Sequence, residues 1–143
     1  MRILLVLFLV TFSVDVAAKC FDWELRRGHG NRVVRDANTV YINLPGIPKN
    51  ISDFTVQARG ILTPRIKNGE CLDEKKRGNR ARNFTTKLIS RARKVRFCEP
   101  QWAGKGRQLA ARLMVDGFDL AKVLVDKGFG RPSDSGTKSW CIR

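Results

Sequence analysis

Histidine occurs once in these 143 residues, as His29 between Gly28 and Gly30. One histidine set between glycines is weak support for either His-dependent nucleophilic catalysis or a Cys/His zinc site. His29 reads as a loop residue. Acids are scarce too, 13 against 28 lysines and arginines, which leaves a formal net charge of +15. Close-set C-x-x-C pairs are missing, because Cys20, Cys71, Cys98 and Cys141 stand 51, 27 and 43 residues apart. That spacing argues against a structural zinc. No internal repeat or low-complexity tract is visible, and 143 residues with 43% hydrophobic content suit one domain with one core.

The one sustained apolar run, Ile3 to Val10, lies behind Met1-Arg2 and ahead of Val16-Ala17-Ala18. A basic start, a short apolar core and a small-residue end are the pattern of an export signal, with cleavage expected after Ala18. The run is too short to span a bilayer and Asp15 interrupts its end, so an anchor is the weaker reading. Removing residues 1–18 takes away one base, Arg2, and one acid, Asp15, leaving 125 residues with 27 basic and 12 acidic side chains. The mature chain is thus expected outside the cytosol, strongly cationic, monomeric and without a transmembrane segment. All four cysteines survive cleavage, and an even count in a small exported domain predicts two disulfides. Three pairings remain open.

Within residues 19–143, Val33-Val34 and Val40-Tyr41-Ile42-Asn43 read as paired strands around the turn Asp36-Ala37-Asn38-Thr39. A Pro/Gly-rich loop follows from Leu44 to Asp53, then strand character from Phe54 to Ile61. Leu72 to Arg91 reads as a helix, with Ala81, Phe84, Leu88 and Ile89 at helical spacing and Gly78 as a weak point. Val95-Arg96-Phe97 predicts a short strand ended by Pro100, and Gly104-Lys105-Gly106-Arg107 a basic hairpin turn. Gln108 to Val115 reads as a strand turning at Asp116-Gly117, and Leu120, Val123 and Leu124 as a short helix stopped by Gly128. The order predicts a mainly β fold with α: a five-stranded OB-type barrel with a helix between strands 3 and 4 and a C-terminal helix. Trp23, Trp102 and Trp140 are expected in the core, since no regular aromatic spacing marks a base-stacking platform.

From Lys75 to Arg96 there are ten basic residues and no acid. Side chains this close repel one another, so an anionic partner that offsets the repulsion is the favoured reading over a merely solvated face.

The ordered motifs resemble the staphylococcal-nuclease, or thermonuclease-like, family. The stretches that carry the resemblance are DANT at 36–39, VQARGILTPRI at 56–66, ARNFT at 81–85, MVDG at 114–117 and DLAKVLVDKGFG at 119–130. The closing Trp140-Cys141 pair resembles exported bacterial members, which implies a periplasmic or secreted location. The family chemistry is metal-assisted phosphodiester hydrolysis, in which carboxylates hold calcium, a glutamate orients water and two arginines stabilise phosphoryl charge.

Position by position, the resemblance places Asn38 where an aspartate ligand stands, Gln57 at an arginine, Leu62 at an aspartate and Arg65 at the glutamate. Gln108 falls at the second arginine, or Arg107 if a one-residue bulge intervenes. Asp36 is the acid that remains. A cation at Arg65 would repel a divalent ion by about 3 kcal/mol per unit charge at ~5 Å and an effective dielectric near 20. Hydrolysis is therefore expected to be lost, with no cofactor required. The remaining expectation is a polyanion-binding module, above all for nucleic acid, using Arg59, Arg65, Lys75, Lys76, Arg80, Lys87, Lys105 and Arg107. The enzymatic alternative is a calcium-dependent endonuclease with a displaced site at Asp36, Arg59 and Arg107, helped by Asp73 or Glu74. A third class is binding to anionic envelope polymers or lipid head groups.

Overall fold

A computed structural model describes residues 18–48, 50, 53–104, 106–136 and 138–141. All of the expected leader except Ala18 falls outside them. The chain forms short strands β1 (Cys20–Phe21) and β2 (Glu24–Leu25), a 3-10 turn (His29–Asn31), then β3 (Val34–Asp36), β4 (Thr39–Asn43), β5 (Thr55–Ala58) and β6 (Ile61–Leu62). Helix α1 (Leu72–Arg91), strands β7 (Val95–Trp102), β8 (Gln108–Val115) and β9 (Phe118–Asp119), helix α2 (Leu120–Asp126) and β10 (Arg131–Pro132) follow. The fold is mainly β-sheet with two helices.

The sheet runs in the order β1-β7-β8-β5-β4-β2, with β3 added to β4 and β9 to β8. Among the described residues its one parallel pairing joins β5 to β8, Val56 opposite Leu109 and Ala58 opposite Ala111. The two ends of this path, β1 and β2, are separated in the chain by only Asp22 and Trp23. A sheet whose first and last strands are consecutive pieces of chain must curl strongly on itself. The inward faces of its strands supply the core.

Alternation explains β8: Leu109, Ala111, Leu113 and Val115 are buried while Arg112 is exposed. They pack with Val40, Ile42, Val56, Phe97, Leu120 and Leu124. Each such aliphatic or aromatic side chain contributes roughly 1.5–3 kcal/mol on burial.

Helix α1 begins at Cys71, whose sulfur accepts the Glu74 N–H at 3.4 Å, and ends where Ala92 turns extended. Its buried stripe is Glu74, Gly78, Ala81, Thr85 and Ile89. Gly78 is needed there: a Cβ would stand 2.7 Å from the Pro64 carbonyl oxygen and 2.9 Å from Ile66 Cγ1. The glycine that weakens the helical pattern in the sequence is what lets α1 lie against the 64–66 turn.

Several expectations change. The strand predicted from Phe54 to Ile61 is broken at Arg59-Gly60, where Gly60 takes φ 79°, giving β5 and β6. The strand predicted to stop at Pro100 runs on to Trp102, because a bulge with Glu99 at φ 51° shifts the register between Cys98 and Gln101. Strands β1, β2 and β10 are two residues long each, too short for any alternation to show. Trp102 is not a core residue: it is 65% exposed, and its ring lies tilted with its centroid 6.0 Å from that of Phe54.

The open pairing resolves as Cys20–Cys98 and Cys71–Cys141. Cys20 and Cys98 are direct neighbours across β1 and β7. The second disulfide ties the C-terminal segment to the start of α1.

Candidate functional site

A cleft of about 1060 Å³ opens between the 36–39 turn, the 61–67 turn and the C-terminal segment 138–140. Three polar pins hold its floor. Thr85 Oγ1 on α1 donates to the Ala37 carbonyl at 2.6 Å, fixing the first turn on the helix. Asn38, almost fully buried, accepts from the hydroxyls of Thr39 and Thr63 at 3.3 Å each, which joins the two turns. Gln57 Oε1 accepts from Gln108 Nε2 at 2.8 Å, a neutral amide pair between β5 and β8.

The wall of the cleft is built on a buried carboxylate. Glu74, 1% exposed, accepts the backbone N–H of Arg65 at 3.0 Å and of Glu70 at 2.6 Å, and the Arg65 guanidinium at 3.3 Å. Burial alone would push its carboxyl up, but those three donors and the Arg65 charge outweigh it and hold the group below its ordinary value of 4.5. Arg65 also reaches Glu70 at 3.2 Å. One guanidinium therefore bridges two carboxylates.

The C-terminal segment closes the far side. Arg131 stacks on the Trp140 ring at 3.8 Å and donates to the Lys138 carbonyl at 2.8 Å. Ser139 Oγ donates to Glu70 at 3.2 Å. Trp140 thus lines the cleft rather than the core.

Of the positions read from the sequence, Asp36, Asn38, Gln57, Leu62 and Arg65 all line this cleft, and Gln108 supports it through Gln57. Asp36 pairs with its neighbour Arg35 at 2.9 Å. Arg59 and Arg107 stand away from it: Arg59 pairs with Glu99 at 3.2 Å, and the Arg107 carbonyl caps β5 at Thr55. Lys105 lies outside the described residues. On α1, Lys76, Arg80, Lys87 and Arg91 recur at i, i+4, i+11 and i+15, within about 60° around the axis and over about 22 Å. All four are exposed, and none makes an ion pair among the described residues. Lys75 points off this line.

Sequence reasoning missed Arg32, Arg35, Tyr41, Thr63 and Glu70, which also line the cleft. For Glu70 the signal is the pairing of Cys71 with Cys141, which brings residue 70 and residues 138–140 together and is unreadable from spacing; the other four reach the cleft through the packing of the strands and turns around residues 32–41 and 61–67.

Calcium does not fit these residues. Glu70, Glu74 and the Cys141 sulfur gather within 4.8 Å, but that sulfur is in a disulfide, both Glu74 oxygens take N–H donors, and Arg65 occupies the space between the carboxylates. The Leu62 side chain supplies no oxygen. No protein-family model matches this chain, and no curated protein matches it.

Proposed function

We propose that this is an exported, disulfide-bonded protein of the nuclease-like OB type that binds polyanions, nucleic acid above all, and does not hydrolyse them. The fold reading is supported by five principal strands in the order β3-β4-β5-β8-β7, the helix between β5 and β7, and a sheet whose ends are adjacent in the chain. Export is supported by two disulfides and by the leader-like residues 1–18; no helix among the described residues is long and apolar enough to cross a membrane.

The observation that carries the binding reading is the acid-free stripe Lys76, Arg80, Lys87 and Arg91. Four cations on a rigid helix face repel each other, and a phosphate chain relieves that repulsion while releasing its counterions. Loss of hydrolysis rests on the cleft chemistry: amides stand at the arginine positions and a guanidinium at the glutamate. Contacts to backbone phosphates carry no base information, so sequence preference is weak.

Titration of labelled duplex DNA with the oxidised mature protein at two salt concentrations tests this. Four phosphate contacts predict a slope of log K on log salt of about −3 to −4. Absence of binding at low salt removes the proposal; tighter capture by anionic vesicles than by DNA would reassign the stripe to an envelope surface.

A further inference from the structure

A second pocket, about 450 Å³, lies between residues 27–34 and α1, and shares Arg32 and Arg82 with the cleft while adding Arg27. No acid lines it. Arg27 and Arg32 make no ion pair among the described residues. Arg82 is steadied by donating to Asn79 Oδ1 at 2.8 Å, which uses one of its five N–H groups and leaves the others for a ligand. The hydroxyls of Thr86 and Ser90 are spent on the carbonyls of Arg82 and Lys87, so the remaining neutral side-chain donors among the lining residues are the amides of Asn31 and Asn83. Behind these polar groups the walls are apolar, formed by Val33, Val34 and Ile89.

We infer that this pocket binds a phosphate monoester carried on an apolar or aromatic body, such as a nucleoside monophosphate or the 5′-phosphorylated end of a strand. Three arginines lining one pocket suit a group with three terminal oxygens and a charge near −2, which a monoester has and an internal phosphodiester lacks. The apolar walls receive the ring that the phosphate carries, and the volume is that of a small-molecule site. The pocket rests on Arg27, Arg32 and Arg82 and is independent of the α1 stripe.

Calorimetric titration of the oxidised full-length mature protein with adenosine 5′-monophosphate, adenosine and inorganic phosphate tests the assignment. The monophosphate is expected to bind at least about tenfold tighter than either fragment, and Arg27→Gln or Arg32→Gln to weaken it by about tenfold, the usual scale of one charge-assisted fork. Both arginines are exposed, so their loss leaves the core intact. Lys87→Gln/Arg91→Gln leaves monophosphate affinity unchanged while lowering DNA affinity, so failure of the pocket and failure of the polyanion reading separate. Monophosphate binding no tighter than adenosine, or unaltered in both arginine variants, overturns the assignment. Competition by a 5′-phosphorylated oligonucleotide assigns the site to strand ends and its absence to free mononucleotides; equal competition by the 5′-hydroxyl strand overturns it.

Discussion

Glu74 is the residue on which the cleft wall depends. Its two oxygens receive two backbone N–H groups and a guanidinium in a buried setting, so Glu74→Gln would turn an amide NH2 toward donors. Removing one member of such a network costs about 2–4 kcal/mol, measurable by urea denaturation at neutral pH. The pH dependence has a definite sign. Because the folded carboxyl is held below 4.5, its stabilisation is fully present above that value and is lost as pH falls through the lower folded value. The wild-type protein should therefore lose stability below about pH 4.5 more steeply than Glu74→Gln does; parallel acid profiles would contradict the assignment. Arg65 belongs to the same unit. From the sequence it reads as a stray cation in an inherited turn, whereas its charge is balanced by Glu70 and Glu74.

At the scale of elements, α1 organises the molecule: one face pins both turns of the cleft and the opposite face carries the stripe. Gly78→Ala should gain about 1 kcal/mol of helix propensity yet lose more than that against the Pro64 carbonyl 2.7 Å away. A net loss of about 1 kcal/mol in thermal or chemical unfolding is expected, and a stabilised variant would show that α1 does not seat on the turn. Lys87→Gln/Arg91→Gln should flatten the salt dependence of DNA binding by about two units of slope. The sequence made α1 and β8 legible to the residue, because their patterns of burial extend over 20 and 8 residues. It left β1, β2 and β10 hidden, since two-residue strands are chosen by their partners and have no pattern of their own. The break at Arg59-Gly60 and the bulge at Glu99 were hidden for a related reason: left-handed backbone at a single residue is decided by the register of neighbouring strands. The C-terminal side of the cleft is tied to the start of α1 by a disulfide whose partners lie 70 residues apart, a pairing that spacing does not reveal.

At the scale of the whole molecule, a small core is cross-linked twice and carries an excess of positive charge that works against its own compactness. Replacing Cys71 and Cys141 together with serine should cost about 2–4 kcal/mol by freeing the unfolded chain, and should loosen the segment that bears Trp140. Near-UV dichroism of that tryptophan and a denaturation midpoint would record both effects. On the proposed function the chain grips nucleic acid and leaves it whole. Supercoiled plasmid incubated with the oxidised mature protein, once with calcium and once with chelator, then run on a gel with and without protease, tests that claim in one assay. Retarded plasmid is expected in both tubes, restored to intact supercoil by protease; nicked or linear plasmid that appears only with calcium, and disappears in Asp36→Ala, would overturn the proposed function.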